Sequence, residues 1–140
     1  MEARASFAPE LSSASEARHF AERTLADWGL VQVLEATRLL VSELVVNAVI
    51  HAGTESELLL RADDARLHVE VLDHSIEAPV LRSYSPTAPN GRGLLILDDL
   101  ADEWGVDTTA VTKTVWFELA LDPSGEVAPS RSAPARTDGP

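Results

Sequence analysis

From about Val31 or Gln32 to His51 the sequence reads as one long helix. Leu34, Leu40 or Val41, Leu44, Val45 and Ala48 fall on its buried side, and Gly53 stands just beyond as a stop. A helix this apolar must be covered by another layer. Its apolar stretch, Leu39 to Ile50, is broken by Ser42, Glu43 and Asn47 and falls short of the roughly 20 residues that span a bilayer, so the covering layer is protein. Within it Glu43, Asn47 and His51 stand at i, i+4 and i+8 and share one stripe. That stripe is either a solvated face or a set of polar groups with chemical work to do. An Asn and a Glu one turn apart can hold Mg²⁺ through oxygen and position a water or hydroxyl.

The elements around this helix suggest what it packs on. Ser12 to Ser15 offer N-cap candidates before a shorter helix in which Ala17, Phe20, Ala21, Leu25 and Trp28 recur at helical spacing and Gly29 ends the run. Ser56–Ala62 and Arg66–Leu72 are β-rich runs joined by Asp63, Asp64 and Ala65. Leu67, Val69 and Val71 alternate with His68 and Glu70, the pattern of an antiparallel hairpin with one buried face. From His74 to Asn90 the periodicity stops, and a segment of that length is more often a functional loop than a connector. Gly91-Arg92-Gly93 then opens a short amphipathic helix bearing Leu94, Leu95, Leu97, Leu100 and Ala101. Two strands follow, about Glu103–Asp107 and Lys113–Leu121. The predicted fold class is α+β: a two-layer α/β sandwich, with a mixed, mostly antiparallel sheet and helices on one face. One domain covers residues 1–121, and the Pro/Ser/Ala-rich stretch 122–140 is expected to be a disordered tail.

Composition excludes several functions. With 45% hydrophobic residues the chain is globular, and a net charge of −12 without any strongly basic block argues against direct nucleic-acid binding. Cysteine is absent, so no disulfide, thiolate metal site or cysteine nucleophile is available. The N-terminus lacks the apolar core of a secretory signal, and a cytoplasmic protein without a membrane segment is expected. The tail, with three acids and two arginines, contributes about −1, so the acidity belongs to the domain.

Three further places carry candidate chemistry. Asp73 ends an alternating strand, where its carboxylate either accepts a hydrogen bond from an exocyclic amine of a base or caps a turn. Gly91-Arg92-Gly93-Leu94 sits at a helix start, where backbone N–H groups and the positive end of the dipole favour phosphate; a tight turn is the plainer reading. In Thr112-Lys113-Thr114-Val115-Trp116 the only lysine of the chain precedes a hydroxyl on a strand.

The order of these elements is more specific than any one of them. Glu-x-x-x-Asn-x-x-x-His-Ala on a helix, an Asp ending a strand, a proline-rich loop, GRGL opening a helix and KTVW on the last strand resemble the GHKL, or Bergerat-fold, ATP-binding domain. That domain is shared by gyrase, histidine kinases, MutL and an ATP-driven heat-shock chaperone. The closer resemblance, over roughly Phe7 to Leu121, is to small stand-alone anti-sigma factors with serine/threonine protein kinase activity, of the kind abundant in actinomycetes.

The resemblance implies ATP and Mg²⁺ as cofactors and assigns roles by motif. Asn47 would coordinate the Mg²⁺ bridging the triphosphate, and Glu43 would be the general base of phosphoryl transfer. Asp73 would accept the adenine amino group, with Thr114 assisting through a shared water. Gly91, Arg92, Gly93 and Leu94 would wrap the phosphates, and His51 and Ala52 would close the helix beside the nucleotide. Lys113 would add a charge near the phosphates or lie on the outer strand face. The implied partners are a sigma factor and an anti-anti-sigma protein, with a homodimer in which the strand around Phe7 pairs between subunits. Asp73-His74-Ser75 and Thr112 stand where the wider superfamily has Asp-x-Gly and a glycine, and these two departures favour an alternative: a non-catalytic protein-binding module of the same fold. A detached histidine-kinase catalytic domain is a third reading, disfavoured because no dimerisation helix pair bears a phospho-acceptor histidine. Acidity adds that a free triphosphate is repelled at long range, so binding is expected to depend on Mg²⁺ and the partner to present a basic surface.

Overall fold

The computed structural model describes residues 1–74 and 92–121, and for residues 92–95 the backbone alone. Most of the predicted loop after His74, and the whole predicted tail 122–140, lie outside the described residues. Five strands and three helices follow in the order β1 (Glu2–Phe7), α1 (Ser12–Trp28), α2 (Leu34–His51), β2 (Ser56–Ala62), β3 (Arg66–Asp73), α3 (Arg92–Leu100), β4 (Glu103–Thr108) and β5 (Lys113–Ala120). A 3₁₀ turn, Val31–Val33, leads into α2.

The strands form one sheet in the order β1-β2-β3-β5-β4. Every pairing is antiparallel, so the expected mixed sheet is antiparallel throughout. Strand β1, the edge strand expected around Phe7, joins this sheet; its alternating small and charged residues give a weak period. It pairs with β2 along its whole length, Phe7 opposite Ser56.

Central strand β3 shows how the layers are assigned. Its residues alternate between the two faces, and Leu67, Val69, Val71 and Asp73 are buried. Register carries this parity to the neighbours: Val69 faces Leu60 and Phe117, and Val71 faces Leu58 and Val115. Those residues join Leu40, Val41, Leu44, Val45 and Ala48 of α2 and Ala17, Ala21 and Leu25 of α1 in one core. Leu97 of α3 and Ala101 after it are fully buried in the same core. The helices therefore cover one face of the sheet, as an α+β sandwich requires.

Local chemistry fixes the ends of the elements. Ser12, Ser13 and Ser15 lie in the first turn of α1 and do not cap it. Leu11 is the N-cap residue without a side-chain bond, and Ser13 instead donates its hydroxyl to the Ala8 carbonyl at 2.7 Å, tying the helix start to the end of β1. Both long helices stop at glycines in the left-handed region, Gly29 at φ 74° and Gly53 at φ 62°. Leu30 N–H reaches back to the Leu25 carbonyl, and Gly53 N–H to that of Ala48. The β2–β3 turn is closed by Asp63, whose Oδ1 accepts the N–H groups of Ala65 and Arg66 at 2.7 and 2.9 Å. Those two donors hold its carboxyl below the usual carboxylate range.

The face away from the helices is polar and paired. Arg66 reaches Glu118 at 2.6 Å and Glu103 at 3.1 Å. His68 lies between Glu118 and Glu70, its Nδ1 2.9 Å from one and its Nε2 2.8 Å from the other. Its ring stacks on Trp116 at 5.7 Å. Trp116 in turn covers Gly105, where an added Cβ would meet three indole atoms at 2.8 Å.

Two stability tests follow. Gly105→Ala forces the indole off its stack with His68 and should lower unfolding stability by about 1–3 kcal/mol; an unchanged urea midpoint would mean that Trp116 moves aside freely. For Asp63 the folded value is lowered, so its contribution is present above the unfolded carboxylate range and lost as pH falls through the folded value. Asp63→Ala should be less stable than wild type at neutral pH, and the difference should shrink in strong acid. A gap between the two urea midpoints that does not narrow would refute this linkage.

Candidate functional site

The apolar inner rows of the sheet end abruptly at one edge of the core. The next row after Leu58, Val71 and Val115 is Ser56, Asp73 and Lys113, register partners across β2, β3 and β5. All three are buried, at 1%, 2% and 4% exposure. A hydroxyl, a carboxylate and an ammonium thus replace hydrophobic side chains on the face the helices cover. Lys113 Nζ lies 3.6 Å from Asp73 Oδ2, an ion pair almost without water. Removing one partner of such a pair strands the other charge, at a cost of about 3–5 kcal/mol.

The end of α2 is delivered to the same edge by chain continuity. Only Ala52, Gly53, Thr54 and Glu55 separate His51 from Ser56. Thr54 Oγ1 accepts the N–H of His74 at 3.1 Å, joining the loop after α2 to the residue after Asp73. On this helix the Glu43, Asn47, His51 stripe is graded. Glu43 and His51 are half-buried, whereas Asn47 is 3% exposed and lies on the buried face with Leu40, Leu44 and Ala48. A solvated face does not describe Asn47.

Asn47 is also unsatisfied. Among the described residues neither Oδ1 nor Nδ2 has a hydrogen-bond partner, and the same holds for Ser56 Oγ. More than nine in ten buried polar groups are normally paired, and an orphan costs about 1–3 kcal/mol. An orphaned hydroxyl in register with a buried ion pair, and an orphaned amide in the last turns of the helix that leads to it, mark a candidate site to be completed by a ligand. Thr37 Oγ1 is orphaned too, but lies nearly three turns back along α2 and takes no part. An amide oxygen is a suitable donor for Mg²⁺, which prefers oxygen ligands, so Asn47 fits the metal role. The described residues include no cluster of three or more His, Asp or Glu that could cage a metal by themselves.

Several expected positions differ. Lys113 does not lie on the outer strand face; parity turns it inward to Asp73. Thr114 takes the opposite parity, with Leu72 and Asp107 as register partners, so β5 aims it away from the Asp73 carboxylate. Arg92, Gly93 and Leu94 open α3, which places their backbone N–H groups in its first turn. Gly91 lies outside the described residues. Ser56 was missed, although it stands two residues before inward-facing Leu58 and so shares that row by parity. A cavity of about 380 Å³ lined by Arg61, Arg66, His68 and Glu118 lies at the opposite end of the strands and does not overlap these groups.

Sheet, helix layer and polar edge together define an α+β domain with a candidate site at the end of the inner rows of β2, β3 and β5. The sequence matches the family of the histidine kinase-like ATPase domain over residues 7–119, so the chain belongs to that family. A search of curated proteins found no match. Among the described residues no helix is long and apolar enough to cross a membrane.

The orphaned amide gives a direct test. Asn47→Leu replaces an unsatisfied buried polar group by an apolar one of similar size and should raise the stability of the ligand-free protein by about 1 kcal/mol. The thermal shift that Mg²⁺ with ATP gives the wild type should be lost. A variant less stable than wild type would show that Asn47 is already satisfied within the fold.

Proposed function

We propose that this chain is an ATP-dependent regulatory protein of the anti-sigma factor kinase kind, which binds a sigma factor and phosphorylates a serine of an anti-anti-sigma antagonist. The observation that carries this reading is the buried Asn47, unpartnered among the described residues, one helical turn from half-buried Glu43, within a histidine kinase-like ATPase domain. Asp73 holds the adenine amino group, and the first turn of α3 directs N–H groups at the phosphates. Asn47 Oδ1 would hold Mg²⁺, which would neutralise charge on the triphosphate. Glu43 accepts the proton of the attacking serine hydroxyl. The serine Oγ–phosphorus bond forms as the bond from the γ-phosphorus to the bridging oxygen breaks, and ADP leaves with that electron pair.

The charge of the chain supports a protein partner over nucleic acid. At −12 the chain attracts a basic protein surface and repels phosphodiester backbones. Strand β1 is a sheet edge, so a homodimer through β1 of two subunits is part of the proposal.

The test is phosphoryl transfer. Incubation with γ-labelled ATP, Mg²⁺ and an anti-anti-sigma protein should label a serine of that protein. Glu43→Ala should slow transfer by about 10²–10⁴-fold with ATP affinity little changed. Absence of transfer to any such antagonist, with Glu43→Ala indistinguishable from wild type, would leave a binding module without kinase activity.

A further inference from the structure

Lys113 is the only lysine in the chain, and the fold buries it. Burying an ammonium is costly, and the packing of β5 does not demand one, since its other inward positions are Val115, Phe117 and Leu119. What the position does provide is adjacency. Across β2, β3 and β5 the inner row presents the Ser56 hydroxyl, the Asp73 carboxylate and the Lys113 ammonium in sequence, with the hydroxyl lacking a hydrogen-bond partner among the described residues.

A carboxylate is acceptor-only and an ammonium donor-only. At 3.6 Å they form an acceptor beside a donor on one surface. The edge of adenine that bears its amino group has the complementary pair side by side: the exocyclic N–H donates and ring nitrogen N1 accepts. If Asp73 takes the amino group, its register partner Lys113 is a donor set beside it for N1. We infer that Lys113 is a base-reading residue which donates to N1 of adenine while Asp73 accepts from the amino group, so that the ion pair recognises both positions. This inference rests on the nucleotide reading proposed above, and moves Lys113 from the phosphate end of the ligand to the base end.

The pairing also accounts for the spread of charge in the site. An anionic carboxylate alone against the base would be buried without compensation, whereas the ammonium neutralises it before the ligand arrives. Thr114, which faces the other side of β5, does not enter.

The test changes the ligand first and leaves the protein intact. Calorimetry with the full chain and Mg²⁺ compares ATP with 1-deaza-ATP, in which a C–H replaces N1, and with GTP. Loss of a hydrogen bond from a charged donor is expected to weaken 1-deaza-ATP by on the order of tenfold to a hundredfold relative to ATP. Lys113→Met should bind both analogues alike, at the weakened level. Equal affinity of the wild type for ATP and 1-deaza-ATP overturns the inference, as does discrimination that persists in Lys113→Met, which would leave the lysine as a counter-ion for Asp73 only. Tighter binding of GTP than ATP also overturns it. No binding of any nucleotide at millimolar concentration overturns the nucleotide reading itself and this inference with it. Should Lys113→Met fail to fold, the wild-type comparison of ATP with 1-deaza-ATP decides alone.

Discussion

The register of the central strand is the constraint on which the rest depends. β3 is paired on both sides, and its pleat decides which residues of β2 and β5 meet the helices. A slip of one residue would expose Leu67, Val69 and Val71 and drive His68 and Glu70 into the core. Two devices hold the register. The Asp63 turn pins the start of β3 to β2, and the outer-face network of Arg66, His68, Glu70 and Glu118 links β3 to β5. That network lies where water is available, so each pair contributes modestly. Its value is positional, because the like-charged Glu70 and Glu118 are brought together only when His68 stands between them.

The same parity that builds the core builds the site. An inward row filled with Val and Phe in the middle of the sheet is filled with Ser56, Asp73 and Lys113 at its end, without any change in backbone geometry. A polar group placed at the last inward position lies within the fold and at the end of its apolar rows. Asn47 obeys the same logic on the helix side, on the buried face but in the last turns of α2.

Much of this was legible in the sequence because periodicity is a local property. The long helix, the Asp63 turn, the alternation of β3 and the chemistry-bearing residues Asn47 and Asp73 all follow from spacing within one segment. What was not legible depends on pairing between segments. The contact of Lys113 with Asp73 needs the β3–β5 register, which no local pattern encodes. Ser56 reads as an unremarkable strand start until Asp73 is known to lie opposite it. The extent of β1 was obscured because an edge strand of alternating alanine and charge has little apolar contrast. The serines at the start of α1 misled for another reason: Ser13 found a better acceptor in Ala8 than in its own helix.

The site therefore sits at a thermodynamic disadvantage that the rest of the fold offsets. Asn47 and Ser56 are desolvated without hydrogen-bond partners among the described residues, and Lys113 and Asp73 are desolvated as an ion pair at 3.6 Å. A sequence selected only for stability would fill this edge with the apolar residues used one row away. That it does not is the physical argument for a ligand, since anything that binds the folded state and supplies the missing partners stabilises that state by mass action. A purely protein-binding surface would need neither a buried amide nor a buried ammonium, because partner recognition is carried by exposed groups. The polar edge is the feature on which the proposed nucleotide reading rests.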